Sequence, residues 1–336
     1  MNSSVFSLCL LPENTRLQVI RSFDYVNLIA FSLISIKTKA IVKSFNFAIE
    51  TLAVSIQRWF NRDSLTLDLV FDDVYYDGAS IKFEIYEHTN EEKTPEDPLV
   101  GLGEVSEYVY YSSNLDGYSI EHNFEWVNPG LSFTGWFEHF RYLFKLKKSC
   151  FNFCTQDEIF DTVAIRNLFP EWTGVRIERA SCSYAEKIFE LFLPCPKQFD
   201  TVIIEGLSTF PKKVGILNSD KFRTFHPLKL DYLLNLNARD ITVHNFSISN
   251  ANRFFKFWAK GSNQRMETLS MNLTEEGSEE TLFKGIAHQT MPRDLERMKG
   301  NRVVRGGFDI RSEKGILATI EKCYRFSHSI RMTVWD

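Results

Sequence analysis

The chain lacks any run of the roughly 18 uninterrupted apolar residues that a membrane-spanning helix needs. Its first residues show no basic start and no small-residue cleavage site, and Glu13 and Arg16 follow soon after Leu10 and Leu11. No secretory signal is expected from that pattern. Cysteine is sparse and scattered: Cys9, Cys150, Cys154, Cys182, Cys195 and Cys323 lie far apart in 336 residues, mostly among apolar neighbours. Such usage argues against a disulfide framework and for reduced thiols in a cytoplasmic or nuclear protein. Gly-x-Ser-x-Gly, His-Glu-x-x-His and a phosphate loop are all missing. Their absence removes the usual hydrolase, metalloprotease and nucleotide signatures. Basic residues nearly vanish from 63–130, which hold 16 acidic side chains against 2 basic. An acidic block of that kind opposes nucleic-acid binding through the middle of the chain.

What is present is ordinary in bulk and uneven in distribution. Apolar residues make up 44% and charged residues 24%, which suits a soluble protein of two or three units. Residues 131–336 hold 30 basic and 24 acidic side chains, so charge alone sets a boundary near residue 130. Between Val5 and Ile49, 26 of 45 residues are apolar, more than so short a segment can bury against itself. A partner is expected to cover the remainder.

Local signals divide that segment into three helices. Pro12 suits a first helical position, and Leu17, Ile20 and Phe23 then recur at three-residue spacing. Asp24 is the expected N-cap of a second helix bearing Leu28, Ile29, Phe31, Leu33 and Ile34. That helix is apolar on nearly all faces and must be covered from more than one side. Ala40, Ile41 and Phe45 form the apolar side of a third, punctuated by Lys37, Lys39 and Lys43.

From Leu52 to about Ile120 the period changes to two. Leu65, Leu67, Leu69 and Phe71 alternate with polar residues, as do Ile81, Phe83 and Ile85, and Asp77-Gly78 between them signals a turn. A small antiparallel sheet is expected, with Glu91 to Pro98 as a solvated acidic loop. Beyond Leu131, strand-like stretches begin near Cys150, Val175, Val202, Ile241 and Met266. Their gaps are about 25 to 27 residues, except for one of about 39 that holds an extra short strand, VGILNS. Helix-like segments fill the spaces at Thr134–Leu146, Asp157–Phe169, Tyr184–Phe192, Pro227–Asn235, Ser249–Lys260 and Glu276–Ala287. The expected architecture is therefore α+β or α/β. Three N-terminal helices occupy 1–50, an acidic β-rich subdomain 51–130, and a leucine-rich-repeat-like strand–helix solenoid 131–336.

Candidate chemistry is thin. Cys150 and Cys154 share one face of a strand with Asn152, but lie four apart with no further Cys or His pair, which favours a buried structural role over zinc. His139 stands three residues after Trp136 among Phe137, Phe140 and Phe144, a setting for a core histidine; no nucleophile or orienting group accompanies it. Gly101-x-Gly103 lacks the third glycine of a dinucleotide fingerprint. Asp68, Asp72 and Asp73 do not match a calcium loop, and alternation places Asp68 and Asp72 on the solvent face of the sheet. No cofactor, metal or catalytic residue is expected.

Leu11-Pro12, Val19-Ile20, Phe23-Asp24, Leu28-Ile29, Phe31-Ser32-Leu33 and Ser35 resemble the F-box, in the form found in the large nematode families (F-box B-like). Asn27 stands where that pattern usually has an acidic residue, and Ile36 where it has a basic or polar one. The C-terminal third is similar to the type-2 F-box-associated domain of the same group. The residues that carry this are Leu233-Leu234, Asn237, Phe254, Phe257-Trp258, Gly261-Ser262-Asn263, Met266 and Leu269. Lys284-Gly285, Gly306-Gly307-Phe308-Asp309-Ile310, Ala318-Thr319-Ile320 and Val334-Trp335 extend it, and FTGWFEHFRYLF resembles the segment that opens the region.

The resemblance implies a non-catalytic substrate receptor of an SCF-type (cullin–RING) ubiquitin ligase. Leu11, Pro12, Ile20, Phe23, Leu28, Ile29, Phe31 and Leu33 would contact a Skp-type adaptor, which links to a cullin. The C-terminal region would hold a protein target that the sequence does not identify; neither nucleic acid nor membrane is an expected partner. The alternative is an F-box-bearing scaffold without ligase output.

Overall fold

The computed structural model describes residues 8–59, 62–71, 80–89, 102, 108–114, 122–168, 172–192, 199–205, 217–276, 278–300, 302–323 and 328–335. By compactness the chain falls into two units, Met1–Ser55 with Trp59–Ser149 and Ile56–Arg58 with Cys150–Asp336. The charge boundary near residue 130 lies inside the first of these.

The first unit opens with helices α1 (Glu13–Arg21), α2 (Tyr25–Leu33) and α3 (Ile36–Ser44), nine residues each. Strands β1 (Ala48–Trp59), β2 (Arg62–Val70), β3 (Ser80–Thr89), β4 (Tyr108–Asn114) and β5 (His122–Val127) follow, then helix α4 (Phe133–Leu143). The strands lie side by side in chain order, and β2 to β5 pair antiparallel. Alternation in β2 and β3 sends Leu65, Leu67, Leu69, Ile81, Phe83 and Ile85 to the core. The α4 residues Phe133, Trp136, Phe137, Phe140 and Leu143 are buried too. Phe83 meets the rings of Trp136 and Phe140 at 5.9 and 5.0 Å. Tyr25 of α2 stacks on Phe71 at 3.7 Å, and α3 packs on α4, so helices and sheet share one aromatic core.

The second unit carries β6 (Lys145–Cys154), α5 (Thr162–Leu168), β7 (Gly174–Glu178), α6 (Cys182–Phe192), β8 (Phe199–Glu205), β9 (Leu217–Thr224) and α7 (Leu230–Leu234). It continues through β10 (Leu236–Phe246), α8 (Ile248–Ala259), β11 (Thr268–Leu273), α9 (Glu279–Leu282), β12 (His288–Lys299), β13 (Arg302–Arg311), β14 (Leu317–Cys323) and β15 (Ser329–Trp335). These ten strands form a mixed sheet in the order β12-β13-β14-β15-β11-β10-β9-β8-β7-β6. β6 through β11 pair parallel; β12 through β15 pair antiparallel among themselves, and β15 returns to pair antiparallel with β11. Phe151 and Phe153 of β6 point inward onto Phe192 of α6, at 5.0 and 5.2 Å.

The expected α+β or α/β plan of a three-helix domain, a small subdomain and a strand–helix solenoid is overturned: strands dominate, in a large mixed sheet with few helices. Three physical reasons stand out. Helices of nine residues are too short to stand alone in water, and α1–α3 belong to the same compact unit as β1–β5 and α4. A strand–helix solenoid needs a helix in each unit long enough to cover its strand, whereas α7 and α9 have five and four residues. Finally, residues 288–335 form antiparallel strands whose closing pair, β15 on β11, joins segments about 60 residues apart. Such pairing leaves no trace in a local repeat period.

Candidate functional site

Two surfaces, one in each unit, carry the residues of functional interest. In the first unit, Pro12 sits one residue before α1, at its N-cap, with φ −51° and ψ 144°. Asp24 caps α2, accepting from Asn27 N at 2.7 Å and from its Nδ2 at 2.8 Å. A reciprocal capping box starts α3: Thr38 N donates to Ser35 Oγ at 3.2 Å, and Ser35 N to Thr38 Oγ1 at 2.9 Å.

These caps set which side chains face solvent. Of the eight residues assigned to adaptor contact, Ile20, Leu28 and Ile29 are at most 1% exposed and hold the helices together. Leu11, Phe23, Phe31 and Leu33 are half-buried, and Pro12 is exposed. Phe23 and Phe31 meet edge to face at 6.1 Å. Among the described residues of the N-terminal segment, the large apolar side chains most open to water are others: Leu10 at 84%, Ile34 at 72% and Ile36 at 89%. Ile34 ends α2 and Ile36 begins α3, on either side of the Ser35 cap. Sequence reasoning passed over Leu10 and Ile36, although a bulky apolar residue beside an N-cap was a usable signal.

His139 ties α2 to α4. Ser32 Oγ donates to Ile29 O at 2.6 Å and lies 2.8 Å from His139 Nε2. With its only proton committed to Ile29, Ser32 accepts from an Nε2–H, so the ring is neutral or protonated but never deprotonated at Nε2. Burial, then the Lys39 charge, push the His139 pKa down to about 4. The imidazole is therefore neutral at pH 7.

Cys150, Cys154 and Cys182 are half-buried, and the first two lie on the outward face of β6, not in the core as a buried structural pair would. Asp68 does not project to solvent as alternation suggested. Its carboxylate accepts from Ser55 Oγ and, at 3.3 Å, from Thr66 Oγ1, and burial raises its pKa against those hydrogen bonds and Lys82. The reason is that β2 is buried on both sides, Ser64 and Thr66 included. Asp72, Asp73, Gly101, Gly103 and the Glu91–Pro98 loop lie outside the described residues. Among the described residues no group of three or more His, Cys, Asp or Glu could hold a metal, and no helix is long and apolar enough to cross a membrane.

In the second unit the strands turn one face to the helices and one away. β7 turns Arg176 and Glu178 outward and β8 turns Glu205; Arg176 pairs with Glu178 and, at 3.3 Å, with Glu205. Burial opposes the charge on Arg176, and the two carboxylates more than offset it. At the other end of the strands, Arg265 Nη2 reaches Asp220 at 2.7 Å and its Nη1 donates to Asn237 O at 3.1 Å, joining β9 to β10. Asn263, held at φ +51°, donates from Nδ2 to Leu233 O and Leu236 O at 3.0 and 2.8 Å. Those bonds close the α8–β11 connection onto α7.

Residues 210–271, which span β9, α7, β10, α8 and most of β11, match the family model described as F-box associated. That match supports an F-box-associated domain in the C-terminal part of the chain. Comparisons with curated proteins and with solved structures return no match.

Proposed function

We propose that the chain is the substrate-recognition subunit of an SCF-type ubiquitin ligase. Its N-terminal segment, residues 1–50, docks a Skp-type adaptor and through it a cullin, and its C-terminal unit holds a protein target. The F-box-associated match over 210–271 carries the reading, since the name of that family places such a region beside an F-box. The exposure of Leu10, Ile34 and Ile36 in this short segment supports it: exposed bulky apolar side chains of this kind are what an adaptor would cover. The receptor performs no bond chemistry and acts by raising the effective concentration of target lysines near the ubiquitin-charged enzyme.

The test is a pulldown of a Skp-type adaptor with two double variants, Ile34→Asp with Ile36→Asp, and Leu11→Ala with Pro12→Ala. Each exposed isoleucine contributes about 1–2 kcal/mol when covered, so the aspartates weaken adaptor binding a hundredfold or more. Neither residue fills the core, so the fold survives. Undiminished adaptor binding by both variants sinks the assignment of this surface.

A further inference from the structure

Among the described residues, the outward face of the second unit's sheet holds the exposed cations Lys221 and Arg223 without ion pairs and one imidazole N–H without an acceptor. Arg223 of β9 is exposed and has no ion pair among the described residues. It lies beside Thr242 of β10, and His244 follows two residues later on the same face. The His244 ring is fixed by a relay from two other strands. Ser329 Oγ of β15 donates to Asn272 Oδ1 of β11 at 2.6 Å, which turns Asn272 Nδ2 to within 2.8 Å of His244 Nδ1. An amide nitrogen can only donate, so Nδ1 is the acceptor and the ring proton sits on Nε2. Phe225, 41% exposed, stacks on the ring at 4.3 Å with 28° between planes. Among the described residues nothing accepts from His244 Nε2.

The charges around the ring are accounted for. Burial, then Arg223, lower the His244 pKa, and Glu205 opposes them. Glu205 is itself engaged by Arg176 at 3.3 Å, and Arg331 Nε donates to Ser270 Oγ at 2.9 Å. What remains at the ring is a neutral N–H donor, the Arg223 guanidinium and an exposed aromatic face, the ring held by the half-buried Asn272 and the buried Ser329.

The geometry points to a docking site for an acidic side chain of the protein target, a carboxylate received by His244 Nε2–H and Arg223, with an apolar neighbour lying on Phe225. The site rests on the receptor reading given above and names the chemistry of the target. A single guanidinium beside a neutral N–H matches one negative charge. A phosphate dianion calls for a cluster of arginines, and Glu205 stands against the second charge.

Full-length protein labelled at histidine is titrated with acetyl-Gly-Leu-Asp-Leu-Gly-amide and with its Asn and phosphoserine counterparts, read by NMR at the His244 ring. The Asp peptide shifts the ring signals saturably, the Asn peptide does not, and Arg223→Gln weakens the apparent affinity tenfold or more. The ring nitrogens report the Nε2–H tautomer, and Asn272→Ala abolishes that signature. No response to the Asp peptide, an equal response to Asp and Asn, or a response to phosphoserine alone overturns the site. Adaptor pulldown on the same samples separates the two claims. Adaptor binding without a peptide response refutes the site alone, and a specific peptide response without adaptor binding refutes the receptor reading alone.

Discussion

Replacing His139 with Gln keeps a donor near Ser32 and removes the ionisable ring that joins α2 to α4. The His139 pKa falls from 6.5 in the unfolded chain to about 4 in the folded one. Between those values the unfolded state binds more protons, so the stability carried by the neutral ring is complete above about pH 6.5. It drains away as pH falls toward 4. A shift of this size corresponds to about 3 kcal/mol in full, of which about 2 kcal/mol is lost between pH 7.5 and 5. Asp68 works in the opposite sense, because a carboxylate with a raised pKa gains stability on acidification, so the raw curve mixes the two. Subtracting the variant isolates His139. Urea unfolding of wild type and His139→Gln at pH 7.5, 6.5, 5.5 and 5 should give a difference that shifts by about 2 kcal/mol in favour of the variant across the series. Parallel curves would refute the neutral, buried imidazole and the Ser32 bond that rests on it.

Perturbations at four further sites probe the second unit. Gly307 has φ +107°, and a Cβ there would lie 2.5 Å from Ile320 O, so Gly307→Ala should cost more than about 2 kcal/mol in urea unfolding. Asn263→Ala loses both carbonyl bonds and keeps the positive φ, for about 2 kcal/mol; Asn263→Gly relieves the φ and should lose less, a ranking that thermal melts can read. Asp309 takes both Arg297 nitrogens at 2.8 Å and Thr319 Oγ1 at 2.6 Å, so Asp309→Asn should destabilise by about 2–3 kcal/mol. Trp335→Phe, which removes the Nε1 bond to Thr319 at 2.8 Å and shrinks the ring under Arg297, should cost about 1–2 kcal/mol by the same assay.

The sequence disclosed what local chemistry decides. Asp24 as a cap, and Cys150, Asn152 and Cys154 on one face of a strand, follow from spacing over a few residues, although the buried face proved to be that of Phe151 and Phe153. What it concealed depends on distant partners. An apolar helix does not announce which of its sides will be covered, so Ile20, Leu28 and Ile29 were read as contact residues although the fold buries them. Alternation in β2 marked Asp68 as solvent-facing because nothing local says that both faces of that strand are covered. The antiparallel closure by β15, and with it the mixed sheet, follows from a pairing that no repeat period encodes. The His244 relay is of the same kind, assembled across 28 and 57 residues of sequence.

The central claim is that the N-terminal segment couples a target-holding unit to a cullin–RING ligase. It is tested most directly by co-expressing the full chain with a Skp-type adaptor and a cullin and measuring the mass of the species that elutes from size exclusion. The account predicts one copy of each in a single complex, which Ile34→Asp with Ile36→Asp disperses. Elution of the wild-type chain apart from the adaptor contradicts it.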